Sequence, residues 1–409
     1  MNILISAYAC DPYKGSEPGV GWNVAFELAK THTVYVLTRR KNRSSIEKFL
    51  SNNQSFNATF IYHDFPNWLM WLKKLITTQI YYQFWNLSAI PKIKRLLGNT
   101  SIDIIHHITF NQYRTLSFGY FLNKPFVIGP IGGAESINKV FFCELNKQTL
   151  RKERYRNKGY DYKLFSFLTR RTQAAKAYLF SANENKNKLL PYIQSPHFIT
   201  ETLPAIAINP QDFDFKPKSK QSAGDIFTMI YAGRALDWKG LHLFLRSLDI
   251  LKNGEYRVKL IGIRNEKERS VVLKWISEYK LETKIKLINF MPRNELLKEL
   301  TNANLFVYPA FRDSGSMAIL EACALKCPSI CFNAGGQDAF PDNVLLKVNV
   351  GKTFEATLDA FREKIEWAYL NKTELEAIGK RAYEYTLCNL TWEHKVQCIN
   401  QIYNRIINL

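Results

Sequence analysis

Acidic side chains are in short supply: 36 Asp and Glu stand against 56 Lys and Arg in 409 residues, a formal net charge of +20. The imbalance is uneven. Residues 1–208 hold 27 basic and 12 acidic residues, 27 − 12 = +15, and residues 209–409 hold the other 29 and 24, or +5. Such a first half attracts anions: a phosphorylated substrate, a membrane surface or nucleic acid. Cysteine is sparse as well. The seven thiols do not pair off and none stands in Cys-x-x-Cys spacing; Cys323, Cys327 and Cys331 lie four apart, but Pro328 breaks the series. They read as buried thiols of a reducing compartment, not as a zinc site or disulfide framework. No uncharged run reaches the roughly 18–20 residues of a membrane span. Met1–Cys10 has neither the positive leader nor the apolar length of a secretory signal. At 46% hydrophobic and 22% charged the chain is globular, with length for more than one domain.

Short apolar runs alternate with helical patterns, the grammar of parallel α/β sheets. Asn2–Ala9, Val34–Thr38, Ala58–Tyr62, Ile102–His106, Phe126–Ile128 and Ala177–Ser181 read as buried strands. The pattern restarts at Phe227–Ala232 and continues through Val258–Ile261, Ile285–Phe290, Leu305–Tyr308 and Ser329–Phe332. Between the two runs, Leu203–Gly224 is rich in Pro, Lys, Ser and Asp and reads as a linker. The expectation is two Rossmann-like domains, 1–208 and 209–385, facing across a cleft. An amphipathic helix in 386–409 would pack back on the first domain.

Gly15-Ser-Glu-Pro-Gly19-Val-Gly21 follows the first strand as a glycine-rich loop, where backbone N–H groups and a helix dipole can meet an anion. It is not a nicotinamide fingerprint. The third glycine is missing, and the second strand ends in Thr38-Arg39-Arg40 without an acid for a ribose. A purely structural turn is the plainer alternative.

The second half carries the more pointed constellation. After Phe227–Ala232, Arg234 and Lys239 flank a turn at the mouth of a parallel sheet. A guanidinium fork and an ammonium point charge there suit a diphosphate, though two solvated loop charges would look the same. After Leu305–Tyr308, Asp313 opens a Ser-Gly-Ser loop and Glu321 stands eight residues on, inside the next helix. Both carboxylates can face one cavity, and the backbone of Ser314, Gly315, Ser316 and Met317 can bind phosphate there. Helix capping would account for Asp313 but not for a glutamate in an apolar run.

In this arrangement the sequence resembles the retaining glycosyltransferases of family 4, with their two-Rossmann-domain, B-type fold. Asp313 to Glu321 is similar to that family's Glu-x7-Glu motif, with Asp for the first Glu. Arg234 and Lys239 resemble its diphosphate clamp, and Gly15–Gly21 its first loop. Gly129–Glu135, Asp103–His107 and Gly335-Gly336 add further similarity, toward a bacterial surface-polysaccharide branch.

The resemblance implies a hexose moved from a UDP- or GDP-linked sugar to a cell-surface glycan, on a lipid carrier or free, with retention and without cofactor or metal. It implies Arg234 and Lys239 on the diphosphate and Glu321 on the ribose. Asp313 would hold the donor hexose, Ser314–Met317 phosphate and sugar, and Met291 the base. Gly15 and Gly19 would approach the donor phosphate. His106 or His107 would lie near donor sugar and acceptor; strand alternation puts the two on opposite faces and leaves open which one faces the cleft. Asp313 is shorter than Glu, and Ser316 replaces a common glycine, so the sugar contacts can differ.

Two stretches are basic and aromatic, the composition of an interfacial element on anionic lipid. Phe65–Leu97 holds Trp68, Trp71, Tyr81, Tyr82, Phe84 and Trp85 with Lys73, Lys74, Lys92, Lys94 and Arg95 and no acid; Arg151–Lys188 holds eleven basic residues and three acidic ones. The plain alternative is helices with an aromatic core face and a solvated basic face. Nothing resembles a nucleic-acid-reading element. The expectation is therefore a cytoplasmic enzyme, peripheral on the inner membrane face. The rivals are a phosphorylase or epimerase using the same cleft and a non-catalytic sugar-nucleotide or glycan-binding protein.

Overall fold

A computed structural model describes residues 1–53, 56–66, 76–157, 160–171, 175–195, 197–215 and 226–408. The chain divides into two compact units: Met1–Ala134 with Gly159–Ala207 and Trp392–Leu409, and Glu135–Lys158 with Ile208–Thr391.

The first unit is built on a seven-stranded parallel sheet. Its strands are β1 (Asn2–Ser6), β2 (Thr33–Arg39), β3 (Ala58–His63), β4 (Ile104–His107), β5 (Phe126–Ile131), β6 (Ala175–Phe180) and β7 (Ile199–Thr202). Their order is β3-β2-β1-β4-β5-β6-β7, which reverses direction between β1 and β4. Both faces are covered, as an all-parallel sheet requires. On one face Ile3, Ile5, Val34 and Val36 pack with Trp22, Val24 and Leu28 of helix Ser16–Ala29 and with Trp392, Val396, Ile399, Ile402 and Ile406 of the C-terminal helix Trp392–Ile407. On the other, Leu4, Leu37 and Ile105 pack with Tyr81, Tyr82 and Trp85 of helix Thr78–Ser88 and with Phe165 and Leu168.

The second unit has a six-stranded parallel sheet of β8 (Phe227–Ala232), β9 (Tyr256–Ile261), β10 (Ile285–Ile288), β11 (Leu305–Tyr308), β12 (Ser329–Phe332) and β13 (Leu346–Val348). The order β10-β9-β8-β11-β12-β13 reverses between β8 and β11. Each sheet is thus a Rossmann-like α/β layer.

Several expectations need correction. Residues 135–158 join the second unit, because Ile137, Phe141 and Leu145 are buried in its core. Helix Lys372–Asn389 also stays there, and the chain crosses back at Thr391–Trp392, not at 386. Strands β7 and β13 have no counterpart in the sequence pattern, since ITET and LKV carry too few apolar residues. The glycine-rich loop is shorter than expected: the helix starts at Ser16 and takes in Gly19 and Gly21, with Pro18 in its first turn, where no intrahelical N–H bond is lost. Tyr81, Tyr82 and Trp85 are core residues. Trp68, Trp71, Lys73, Lys74 and 216–224 of the linker lie outside the described residues. Among the described residues no helix is long and apolar enough to cross a membrane.

Candidate active site

Ligands of open α/β sheets gather beyond the carboxyl ends of the strands where the order reverses. In the second unit that point lies between β8 and β11, and the two loops named from sequence leave those strands. Gly240 closes the first loop at φ +68°, and a Cβ there would stand 2.0 Å from the Pro309 carbonyl oxygen. Only glycine allows this approach. The Phe311 N–H donates to the Trp238 carbonyl at 2.9 Å, locking the loops side by side. Gly335, at φ +61°, packs against the second loop from β12; a Cβ would stand 2.1 Å from the Asp313 carbonyl oxygen.

This packing brings Lys239 and Asp313 together. Lys239 Nζ donates to Asp313 Oδ2 at 2.8 Å and to Tyr308 Oη at 2.7 Å. Tyr308 Oη in turn donates to Asp313 Oδ2, and Gly315 N–H to Oδ1 at 3.1 Å. Burial pushes the Asp313 carboxyl up, but the Lys239 charge and these donated bonds outweigh it, so its pKa lies below the ordinary value. Burial and the adjacent Asp313 charge push the Tyr308 phenol well above its usual value. The site therefore holds a carboxylate charged and aimed, beside a fixed ammonium. The helix cap is made by Ser316, whose side chain accepts from Ile319 N–H, and not by Asp313.

Arg234 is 61% exposed and forms a fork with Glu268, Nε and Nη2 reaching Oε1 at 3.2 and 2.5 Å. Glu268 Oε2 also accepts from Ala235 N–H at 3.1 Å. Glu268 was not legible as a site residue; its only signal is an acid in the first turn of helix Glu266–Glu278. Glu321 is buried, and its Oε1 accepts from Arg293 Nε at 2.6 Å. Burial raises its pKa and Arg293 partly offsets the rise. Met291 stands two residues before Arg293, beside the exposed Phe290, over which Arg264 lies at 4.2 Å. Asp212 and Asp214 have Asp-x-Asp spacing inside the linker; both are exposed around the buried Phe213, and Asp212 adds to the upward push on Glu321. Among the described residues no group of three or more His, Cys, Asp and Glu is placed to hold a metal ion.

The first-unit residues look different. His106 and His107 do point to opposite faces, but neither is open to a substrate. Both are fully buried with both ring nitrogens engaged: His106 with Tyr403 Oη (2.6 Å) and the Gly129 carbonyl (3.1 Å), His107 with Tyr82 Oη (2.7 Å) and Ser117 Oγ (2.9 Å). Burial lowers both pKa values from 6.5 to about 3. They are core histidines, and the expected substrate contact is corrected accordingly. Gly19 and Gly21 serve the chain's own loop: Cβ atoms there would stand 2.6 Å from the Lys14 and 2.1 Å from the Ala9 carbonyl oxygen. Gly15 alone is open on its Cβ side.

The sequence profile described as glycosyl transferases group 1 matches residues 212–385, which hold Arg234, Lys239, Asp313 and Glu321. The chain carries a group 1 glycosyl transferase domain. The capsular polysaccharide biosynthesis glycosyltransferase CapM of Staphylococcus aureus is 28% identical over 196 residues, 45% of this chain and 47% of that protein. The chain thus spans about half the length of this curated relative. In fold the likeness extends over the length of the chain. Sucrose-phosphate synthase from Thermosynechococcus elongatus superposes with a TM-score of 0.66 at 15% identity, over 100% of this chain and 99% of that one. Anabaena HepE, solved with UDP, superposes at 0.63 and 14%, over 99% of both. The glycosyl transferase domain is therefore the second of two Rossmann-like units.

Proposed function

We propose that the protein is a retaining, family 4 glycosyltransferase that moves a hexose from a nucleotide-diphosphate sugar to a cell-surface glycan acceptor, free or lipid-linked. The observation that carries this reading is the Lys239–Asp313 pair at the reversal point of the second sheet. The name of CapM supports polysaccharide biosynthesis, and the UDP held by HepE supports a nucleotide donor.

In this reading Lys239 and Arg234 bind the diphosphate. Negative charge grows on that leaving group in the transition state, so fixed cations there lower the barrier. Arg234 exchanges Glu268 for a phosphate oxygen at little cost, being on the surface. Asp313 accepts from a hexose hydroxyl, and its depressed pKa keeps it an acceptor at neutral pH. Glu321 takes the ribose hydroxyls, steadied by Arg293. The acceptor oxygen attacks the anomeric carbon from the face the diphosphate leaves, and its proton passes to a departing phosphate oxygen. No metal is needed in this scheme. The protein works at the cytoplasmic membrane face, with its basic first half toward anionic lipid.

The test is transfer from nucleotide sugars to lipid-linked glycans from membranes, in the presence of EDTA, with the product anomer read by NMR. Retained configuration and activity in EDTA are expected. Inversion contradicts the mechanism, and loss in EDTA with recovery on adding Mg²⁺ moves attention to Asp212 and Asp214.

A further inference from the structure

Residues 135–158 leave the unit that flanks them in sequence and pack in the other one. Their contacts there converge on the two loops of the site. Asn146 N–H and Thr149 Oγ1 donate to the Asp237 carboxylate, two residues before Lys239, at 2.9 and 3.3 Å. Phe141 stacks on Phe311, centroids 4.1 Å and planes 9° apart. Glu153, its side chain only 2% exposed, accepts from Arg312 Nη1 at 2.7 Å and from Ile137 N–H at 3.4 Å, with Arg156 Nη1 at 3.9 Å. Arg312 immediately precedes Asp313 and is itself 17% exposed.

A buried ion pair contributes little stability, because desolvation consumes most of the attraction, and an apolar pair of the same size often does better. What it does supply is direction: a guanidinium held at one angle fixes the backbone that carries it. We propose that Glu153 is a positioning residue of the site, which holds the Asp313 loop in register with Lys239 and Tyr308 by fixing Arg312. Glu153 itself touches no reacting atom. The inference rests on the proposed function for its catalytic consequence, but its structural content can be tested alone.

The experiment follows the Asp313 carboxyl by NMR in the full chain labelled with ¹³Cγ-aspartate, its signal assigned by loss in Asp313→Asn. In Glu153→Gln the loop loosens, the bonds from Lys239, Tyr308 and Gly315 weaken, and Asp313 titrates at higher pH than in the wild type. Deleting a nearby negative charge without moving the loop shifts Asp313 the other way, so the sign separates the two effects. Glu153→Gln/Arg312→Gln removes both charges of the pair and folds where the single variant fails. Because loss of the Arg312 cation raises Asp313 by charge alone, the sign is read in Glu153→Gln and the double variant is read by its kinetics. In both, kcat falls at least tenfold while the donor KM changes less than threefold, since the diphosphate and ribose contacts remain. An unchanged or lowered Asp313 titration in Glu153→Gln overturns the proposal, and so does an unchanged kcat in the double variant where the single variant does not fold. A wild-type chain that transfers from no nucleotide sugar overturns the functional reading and leaves the titration result standing.

Discussion

At the scale of single residues, the contrast between Asp313 and the two histidines separates functional from structural burial. Asp313 is surrounded by donors and stays charged; its contribution to stability is present above the unfolded carboxyl range and is lost as pH falls through its depressed folded pKa. His106 and His107 are held neutral, with folded pKa values of about 3 against 6.5. As pH falls from 6.5 toward 3, the unfolded chain takes up two protons that the native chain refuses. Above pH 6.5 this contribution is complete; below it, about 1.4 kcal/mol is lost per pH unit for each histidine. Denaturant midpoints between pH 6.5 and 4 should fall less steeply in His106→Gln/His107→Gln than in the wild type, and parallel slopes would contradict this assignment. The sequence pattern carried the opposite faces of the two side chains but not their burial, which depends on Tyr82, Ser117 and Tyr403 from distant segments.

Elements were legible where apolar content was high, and so Phe227–Ala232, Leu305–Tyr308 and Ser329–Phe332 have the same bounds in sequence and structure. The edge strands β7 and β13, half polar, gave no such signal. The motif pair Lys239 and Asp313 was legible as two separate loops, whereas their direct bond depends on Gly240 and Gly335, whose need for close approach no single sequence reveals. Nor did any pattern mark residues 135–158 as part of the second unit, because apolar side chains such as Ile137, Phe141 and Leu145 in a largely polar stretch fit either side. The role of Gly240 can be measured. Gly240→Ala places a Cβ against the Pro309 carbonyl at positive φ and should cost at least ~2 kcal/mol in chemical denaturation. In Gly98→Ala the new Cβ meets nothing within 4 Å inside helix Ile90–Asn99, and a gain of about 0.5–1 kcal/mol is expected. Equal effects at the two sites would refute the close-approach argument.

For the whole molecule, the +20 charge and its concentration in residues 1–208 are the sequence features that survive folding unchanged, while the aromatic stretches do not. Among the described residues Tyr81, Tyr82, Trp85, Phe165, Tyr178 and Phe180 are core, and what reaches the surface of the first unit is narrower: Ile80 and Phe84 on one helix, Leu164 and Phe167 beside Lys163 and Arg170 on another. Apolar side chains flanked by cations fit an anionic bilayer surface. Co-sedimentation with phosphatidylglycerol vesicles should be strong at low salt, weak at high salt, and reduced in Phe84→Ser/Phe167→Ser. Equal binding to neutral phosphatidylcholine vesicles would remove the electrostatic part.

The central claim is that Lys239 and Asp313 form a nucleotide-sugar site, and the direct measurement is the thermal shift of wild type and Lys239→Ala against UDP-, GDP-, ADP- and TDP-sugars. Ligand at a hundredfold its Kd stabilises by ~2.7 kcal/mol, enough to be seen. The prediction is that one nucleotide series stabilises the wild type and leaves Lys239→Ala unmoved. Equal shifts in both proteins, or none in either, would contradict it.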